Sequence, residues 1–230
     1  MNSGENTINR QFVDAMEAII KSVQEDYGDL TGCSLVTIST NPKIFSNGMD
    51  LLNIKDEKEL GTLFEDAGKL LSKLVSVGMP TIAMVDGHAF AAGFYMVISH
   101  DYVIMKKEKG YLCFNEMQFG APVNEYNSVL AKAKMGTRNY HELYLEAKKI
   151  NAEEAHRRGI VHIVASEKDI HKVTQEFAEK IADTNKDTKS YEMTKADIYK
   201  DVIHSLTKEP GINQYAIEKI FGYKSMLAKM

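Results

Sequence analysis

The segment that decides the fold spans residues 83–120, AMVDGHAFAAGFYMVISHDYVIMKKEKGYLCFNEMQFG. Its pattern predicts a buried strand, a sharp turn, a helix that begins on small residues, and a further strand. One carboxylate, Glu116, follows the last strand in a mostly uncharged stretch. Strands that alternate with helices are typical of an α/β fold whose crossover connections are right-handed.

The predicted helix begins on Ala91, Ala92 and Gly93. No bulky side chain keeps a ligand from the first backbone N–H groups of such a helix, and these groups have no partner within it. Together with the helix dipole, they stabilise negative charge. A site for an oxyanion, followed along the chain by a single base at Glu116, indicates enolate chemistry.

Both features also have a plainer interpretation. Small residues at positions 91–93 could serve only to let the helix pack closely on a strand, which is their commoner use. Judged by composition alone, Glu116 could be a surface residue on a turn. Residues 83–120 by themselves leave these alternatives open.

The rest of the chain continues the alternation of strands and amphipathic helices. The first predicted helix, residues 8–25, would be capped by Asn6 or Thr7. We expect a core domain over residues 1–165 and a helical region over residues 166–230 that covers a pocket or mediates oligomerisation. Further strands are predicted at residues 33–39, 81–85 and 160–165, and further helices at residues 57–77, 125–134, 139–148, 152–158 and 169–183.

Composition excludes several classes of partner. The 230 residues include 28 basic and 32 acidic side chains, a formal net charge of −4, which argues against nucleic acid or an anionic membrane as the main partner. No uncharged apolar run is long enough to predict membrane insertion. Two cysteines do not predict a disulfide framework at this length, and no spacing of cysteine or histidine predicts a metal site.

Four short motifs carry a resemblance to a known family. In order, they are FSNGMDL at residues 45–51, PTIA and GHAFAAG at residues 80–83 and 87–93, NEMQFG at residues 115–120, and KINAEEA with GIV at residues 149–155 and 159–161. Over roughly residues 9–165 the chain resembles the crotonase superfamily, the enoyl-CoA hydratase/isomerase group. Within that group it is most similar to the monofunctional Δ3,Δ2-enoyl-CoA isomerases.

The resemblance implies an α/β fold of stacked ββα turns with a C-terminal helical region, commonly assembled as trimers. It implies an acyl-CoA thioester substrate whose carbonyl lies between the backbone N–H groups of Met49 and Ala92. No cofactor is expected, because coenzyme A is part of the substrate. The predicted substrate-binding residues are Asn47, Gly48, Asp50, Leu51, Gly93 and Asn115.

Glu116 is the predicted catalytic base. One carboxylate can take a proton from C2 of a 3-enoyl thioester and return it at C4, which moves the double bond to position 2. Burial among Phe114, Met117 and Phe119 should raise its pKa towards the working pH. Hydration in this family usually takes a second carboxylate two residues after Gly93, where this chain has Tyr95, so a hydratase is the weaker alternative.

Another alternative is a catalytically inactive structural subunit of a larger complex. It is suggested by bulky Phe94 and Tyr95 beside the oxyanion helix, by a charged C-terminal tail, and by a chain that starts almost directly on a helix. Either the sheet is one strand short or the sequence lacks an N-terminal piece.

The final residues, Ala228, Lys229 and Met230, resemble a peroxisomal address, with the mitochondrial matrix or the cytoplasm as the alternative location.

Overall fold

The computed structural model describes residues 5–27, 29–208 and 213–227, which form two parallel sheets and the helices around them. The strands are β1 (Leu35–Ile38), β2 (Ile44–Ser46), β3 (Thr81–Val85), β4 (His88–Phe90), β5 (Tyr102–Lys106), β6 (Leu112–Cys113) and β7 (Ile163–Ala165). A short 3-10 helix, Glu116–Phe119, follows β6. The α-helices are α1 (Arg10–Tyr27), α2 (Glu57–Ser76), α3 (Ala92–Ile98), α4 (Glu125–Met135), α5 (Thr137–Leu145), α6 (Ala152–Arg157), α7 (Ile170–Ala182), α8 (Thr188–Ile198), α9 (Lys200–Thr207) and α10 (Gln214–Leu227).

Consecutive strands lie in different sheets. One sheet has the order β1-β3-β5-β7 and the other β2-β4-β6, and all neighbouring strands are parallel. The chain therefore places one strand in each sheet before it enters a helix: β1–β2–α2, then β3–β4–α3, then β5–β6 and the 3-10 helix. This order confirms the predicted stack of ββα turns in an α/β fold.

The strand β3 lies at the centre of the four-stranded sheet, between β1 and β5. Its five residues, TIAMV, are all buried, as expected for an uncharged parallel strand that is covered on both faces. On one face, Ile82 and Met84 pack in a cluster with residues of α7. On the other, Ala83 and Val85 pack in the main core with α3.

The helical region after residue 165 packs directly on this core. α7 covers the sheet, and Val202 and Leu206 of α9 are buried in the main core cluster. The carbonyl oxygen of Leu206 comes so close to α2 that a Cβ added to Gly68 would lie 2.7 Å from it. The division of the chain at residue 165 stays a prediction.

Several predicted boundaries are wrong, and two of them have a clear local cause. Helix α1 begins at Arg10, because the side chain of Asn9 accepts a hydrogen bond from Phe12 N–H (3.0 Å) and so caps it. The side chain of Asn6, a predicted cap, instead donates to Ser39 Oγ (2.7 Å). The last strand begins at residue 163 rather than 160, because the N–H groups of residues 160 and 161 still bond to a carbonyl of α6.

Candidate active site

The loop after β2 lies against the start of α3. Gly48 has a left-handed backbone (φ +86°), and a Cβ added to it would lie 3.0 Å from Ala91 Cβ and 3.1 Å from Ala92 N. Any larger residue would therefore be strained by its φ and would crowd the helix start. Glycine at position 48 is what brings the peptide of Met49 next to that of Ala92.

Residue Ile8 holds the loop from the other side. Its N–H donates to Gly48 O (2.7 Å), and Asp50 N–H donates to Ile8 O (2.9 Å). Peptide groups in an extended chain alternate in direction, so the intervening N–H of Met49 faces away from Ile8. Among the residues that the structure describes, this N–H donates no hydrogen bond.

The helix α3 begins in a strained conformation. Ala91 has φ +49° and ψ −123°, in a region that costs a non-glycine residue about 1–3 kcal/mol. Its carbonyl accepts from the N–H groups of Phe94 (2.9 Å) and Tyr95 (3.2 Å). The N–H of Ala92 has no acceptor within the described part of the chain, as expected at the first position of a helix. The N–H groups of Met49 and Ala92, both without a partner, thus lie close together.

Gly93 has a packing role. A Cβ at this position would lie 2.5 Å from Ser46 O and 2.7 Å from Ser46 Cβ. The close approach of α3 to β2 therefore needs glycine here, which was the plainer interpretation of the small residues. Gly48 and Gly93 are not among the residues that line the cavity described below, so the predicted contact of these two residues with a ligand stays a prediction.

Glu116 opens the 3-10 helix that follows β6. Its Oε2 atom is buried and has no hydrogen-bond partner in the described chain, and burial raises the pKa of Glu116 to about 7. The direction of the predicted shift is confirmed. The prediction that Phe114, Met117 and Phe119 bury Glu116 is only partly right. Phe114 is fully buried, but Met117 is exposed.

Tyrosines form part of the surroundings that the sequence did not predict. Burial raises the pKa of Tyr95 and of Tyr144, and the negative charge of Glu116 raises both further. Tyr95 is fully buried, and its hydroxyl lies 3.0 Å from that of Tyr140. The charge of Glu116 therefore acts on several buried tyrosines, two of which bond to each other through their hydroxyl groups.

A cavity of about 560 Å³ brings most of the predicted residues together. Its wall also contains residues of distant helices, among them Phe64 of α2, Tyr144 of α5, and Ala216, Ile220 and Tyr223 of α10. No short motif marks these residues. The helical spacing of Ala216, Ile220 and Tyr223 on one stripe of α10 was the available signal. The predicted residues that line the cavity are Asn47, Met49, Asp50, Leu51, Ala92, Asn115 and Glu116.

Asn115 and Asp50 differ in what their side chains are free to do. The Oδ1 atom of Asn115 is buried and lacks a partner among the described residues, so it is available to a ligand. The carboxylate of Asp50 accepts two hydrogen bonds from Asn53 Nδ2 (3.0 and 2.9 Å) and a longer one from Asn9 Nδ2 (3.4 Å). Asp50 therefore holds the shape of the loop.

Other carboxylates of the cavity wall differ from Glu116. Glu5 and Glu125 are exposed, and Asp50 is engaged by amide groups.

No group of three or more residues suited to hold a metal ion occurs within the described ranges. None of the described helices is long and apolar enough to cross a membrane. The predicted address at Ala228, Lys229 and Met230 lies outside the described residues.

The enoyl-CoA hydratase/isomerase family model matches residues 2–227 of the chain. The chain belongs to this family. Its curated relatives include the peroxisomal enoyl-CoA delta isomerase 2 of Arabidopsis thaliana, which is 35% identical over 179 residues, 74% of this chain and 75% of that protein. Enoyl-CoA delta isomerase 3 of the same plant is 34% identical over 158 residues, 66% of each chain.

Solved structures of the enoyl-CoA hydratase/isomerase family confirm the fold. A probable enoyl-CoA hydratase from Mycobacterium tuberculosis superposes with a TM-score of 0.80 over 100% of this chain and 94% of that one. The two are 22% identical, so this likeness concerns the fold alone. The crotonase-like arrangement predicted from four short motifs is therefore confirmed.

Proposed function

We propose that this family member is an isomerase that moves the double bond of a 3-enoyl-CoA thioester to the 2-trans position during oxidation of unsaturated fatty acids. One observation carries the proposal: the unpartnered N–H groups of Met49 and Ala92 and the unpartnered carboxylate of Glu116 belong to one cavity. Relatives that are 34–35% identical and are named enoyl-CoA delta isomerases support it.

The first step is removal of a C2 proton by the carboxylate of Glu116. The electron pair of the broken C–H bond moves onto the thioester oxygen, which becomes an enolate oxygen. The N–H groups of Met49 and Ala92 donate hydrogen bonds to this oxygen, and loss of one such donor typically costs about 3 kcal/mol of transition-state stabilisation. Because the donors are held in place by backbone structure, they need no rearrangement as the charge develops.

The second step returns the same proton to C4. The enolate collapses, a double bond forms between C2 and C3, and Glu116 is again a carboxylate. The reaction therefore consumes no water and needs no redox partner or cofactor beyond the coenzyme A of the substrate. A base with a pKa of about 7 is suited to both steps, because it gives up a proton nearly as readily as it takes one.

The placement of the aromatic residues supports an isomerase over the alternatives. Tyr95, at the position where a hydratase of this family would carry its second acid, is buried, and its hydroxyl is engaged with that of Tyr140. Phe94 and Tyr95 both pack into the core and leave the cavity open. An inactive structural subunit would not need an open cavity with an unpartnered acid.

Two further proposals concern the setting of the enzyme. We propose assembly as a homotrimer, as the family resemblance implies. We also propose a peroxisomal location, which the name of the peroxisomal Arabidopsis relative supports. The mitochondrial matrix and the cytoplasm are the alternatives.

The test is an isomerisation assay with 3-hexenoyl-CoA, followed by the absorbance of the conjugated 2-enoyl product. Wild type should be active, and Glu116→Gln should lose at least about a thousandfold in kcat, since the base acts in both steps. Glu125→Gln is the matched control, because Glu125 lines the same cavity but is exposed. Equal rates for wild type and Glu116→Gln, or faster hydration of 2-hexenoyl-CoA than isomerisation, would refute the proposal.

A further inference from the structure

We propose a second binding site, for a small oxyanion such as phosphate, in a cavity between α4 and the junction of α8 and α9. The cavity measures about 170 Å³, and Lys134, His162 and Tyr199 are among the residues that line it. None of its lining residues belongs to the wall of the active-site cavity. The proposal is independent of the isomerase reaction.

Lys134 is the cation of this site. Its Nζ donates to one acceptor, His100 O, at 3.3 Å, and lies 4.0 Å from the centre of the Tyr199 ring. No carboxylate lies within 4 Å of it in the described ranges. An ammonium group has three N–H donors; one bonds to His100 O and the Tyr199 ring engages another side of the group, so at least one donor remains available to a ligand. Burial lowers the pKa of Lys134 to about 8, so the group is still mostly charged near neutral pH.

The nearest carboxylate, that of Asp101, is already engaged. Its Oδ2 atom accepts from Lys195 Nζ (2.7 Å), from Thr81 N–H (2.9 Å) and from Thr81 Oγ1 (3.0 Å). Asp101 also lines the cavity and repels an anion, but Lys195 balances its charge. Asp101 also attracts Lys134, but two lysines share this one carboxylate, so the cavity keeps a net positive charge.

Two histidines line the cavity, and neither cancels the positive charge of Lys134. The Nδ1 atom of His162 accepts from Val103 N–H (3.0 Å), so in the neutral ring Nε2 carries the proton and is a donor. His100 donates from Nδ1 to Met96 O (3.0 Å) and accepts at Nε2 from Thr37 Oγ1 (2.7 Å). Because burial lowers the pKa of His100 to about 4, this ring is neutral near pH 7.

The size and chemistry of the cavity fit a tetrahedral oxyanion. A water molecule takes up about 30 Å³ in the liquid, so 170 Å³ has room for a phosphate ion and a bridging water. Lysine is a common phosphate ligand, acting as a point charge. A phosphate would accept hydrogen bonds from Lys134 Nζ and from Nε2 of the exposed His162, and at neutral pH it carries at least the one negative charge that balances Lys134.

The experiment is a titration of the full chain with sodium phosphate, in the absence of substrate, read by thermal unfolding and by broadening of the phosphorus NMR line. Sodium chloride at matched ionic strength controls for screening, and acetate tests whether any oxyanion suffices. The variants are Lys134→Gln, which removes the charge, and Lys134→Arg, which keeps it. Lys132→Gln is the matched control, because Lys132 is exposed on the same helix.

Wild type, Lys134→Arg and Lys132→Gln should show saturable stabilisation by phosphate beyond that by chloride, and Lys134→Gln should bind at least about tenfold more weakly. The acetate titration distinguishes two modes of binding. Equal stabilisation by acetate and phosphate would show that a single carboxylate suffices, and stabilisation by phosphate alone would show that the tetrahedral shape is required. Identical responses of wild type and Lys134→Gln would overturn the proposal. So would a wild-type response no larger than that to chloride.

Discussion

The ring of Tyr223 stacks on the ring of Phe119, with 4.3 Å between their centres and 13° between their planes. Phe119 ends the 3-10 helix that begins with Glu116, and Tyr223 belongs to α10. A second contact ties α10 to the loop region, because Lys224 Nζ donates to Ile54 O. The C-terminal helix thus holds the segment that carries the proposed base, besides lining the cavity.

Replacing Tyr223 should impair catalysis through the position of Glu116. We expect Tyr223→Ala to lower kcat about tenfold, because a small displacement of a catalytic group is costly. Tyr223→Phe keeps the ring and should keep most of the activity. Steady-state kinetics of both variants check this, and circular dichroism shows whether α10 still folds. A Tyr223→Ala enzyme with normal kcat and a raised KM alone would show that the ring contributes only to substrate binding.

Replacing Gly48 should remove one oxyanion donor. Gly48→Ala would push the loop away from Ala91 and Ala92, so kcat/KM should fall about a hundredfold or more. Gly32→Ala is a matched control: its φ is +72°, but an added Cβ would meet nothing within 4 Å. Gly32→Ala should lose about 1 kcal/mol of stability from backbone strain and keep its activity. Similar activity losses in both variants would contradict the assigned role.

The activity should depend on pH through Glu116. The base must be ionised, and burial raises its pKa to about 7, so kcat/KM should fall tenfold per pH unit below about 7 and level off above it. A pH–rate profile with a short 3-enoyl-CoA measures this directly. An ordinary glutamate would keep its activity down to about pH 4.5, and such a profile would show that Glu116 is better solvated than the structure indicates.

Glu116→Gln should also stabilise the fold at high pH. The folded-state pKa of Glu116 is raised from 4.5 to about 7, so between these values the folded state binds more protons than the unfolded state. Stability therefore falls as the pH rises through this window. Above pH 7 the glutamine variant should exceed wild type by about 1–3 kcal/mol in the free energy of unfolding, and the difference should vanish near pH 4.5. Urea unfolding at several pH values checks it.

His100 should make the protein sensitive to acid. Burial lowers its pKa from 6.5 to about 4, so between these values the unfolded state binds more protons, and stability falls as the pH drops from 6.5 towards 4. The loss attributable to His100 is on the order of 3 kcal/mol. In urea unfolding, His100→Asn should lose less stability than wild type over this range. The exposed His141→Asn control should behave like wild type.

Local sequence patterns predicted the strands of the four-stranded sheet and most of the helices, because they report backbone periodicity and turn chemistry, but they missed the short strands β2 and β4. The uncharged run 81–85 became the central buried strand, and the spacing of the four motifs identified the family and fold. The same patterns misplaced the start of α1, because the side chain of Asn6, a predicted cap, bonds to a distant partner, Ser39, and Asn9 caps the helix instead.

What the sequence by itself determined is the order of ββα turns, the family, and the chemical types at the site: a glycine at 48, small residues at 91–93 and an acid at 116. Only the tertiary structure decided that Gly93 packs on Ser46, that Tyr95 is buried away from the cavity, and that α10 closes the cavity wall. These outcomes depend on contacts between residues far apart in the chain, and no local periodicity encodes which distant faces meet.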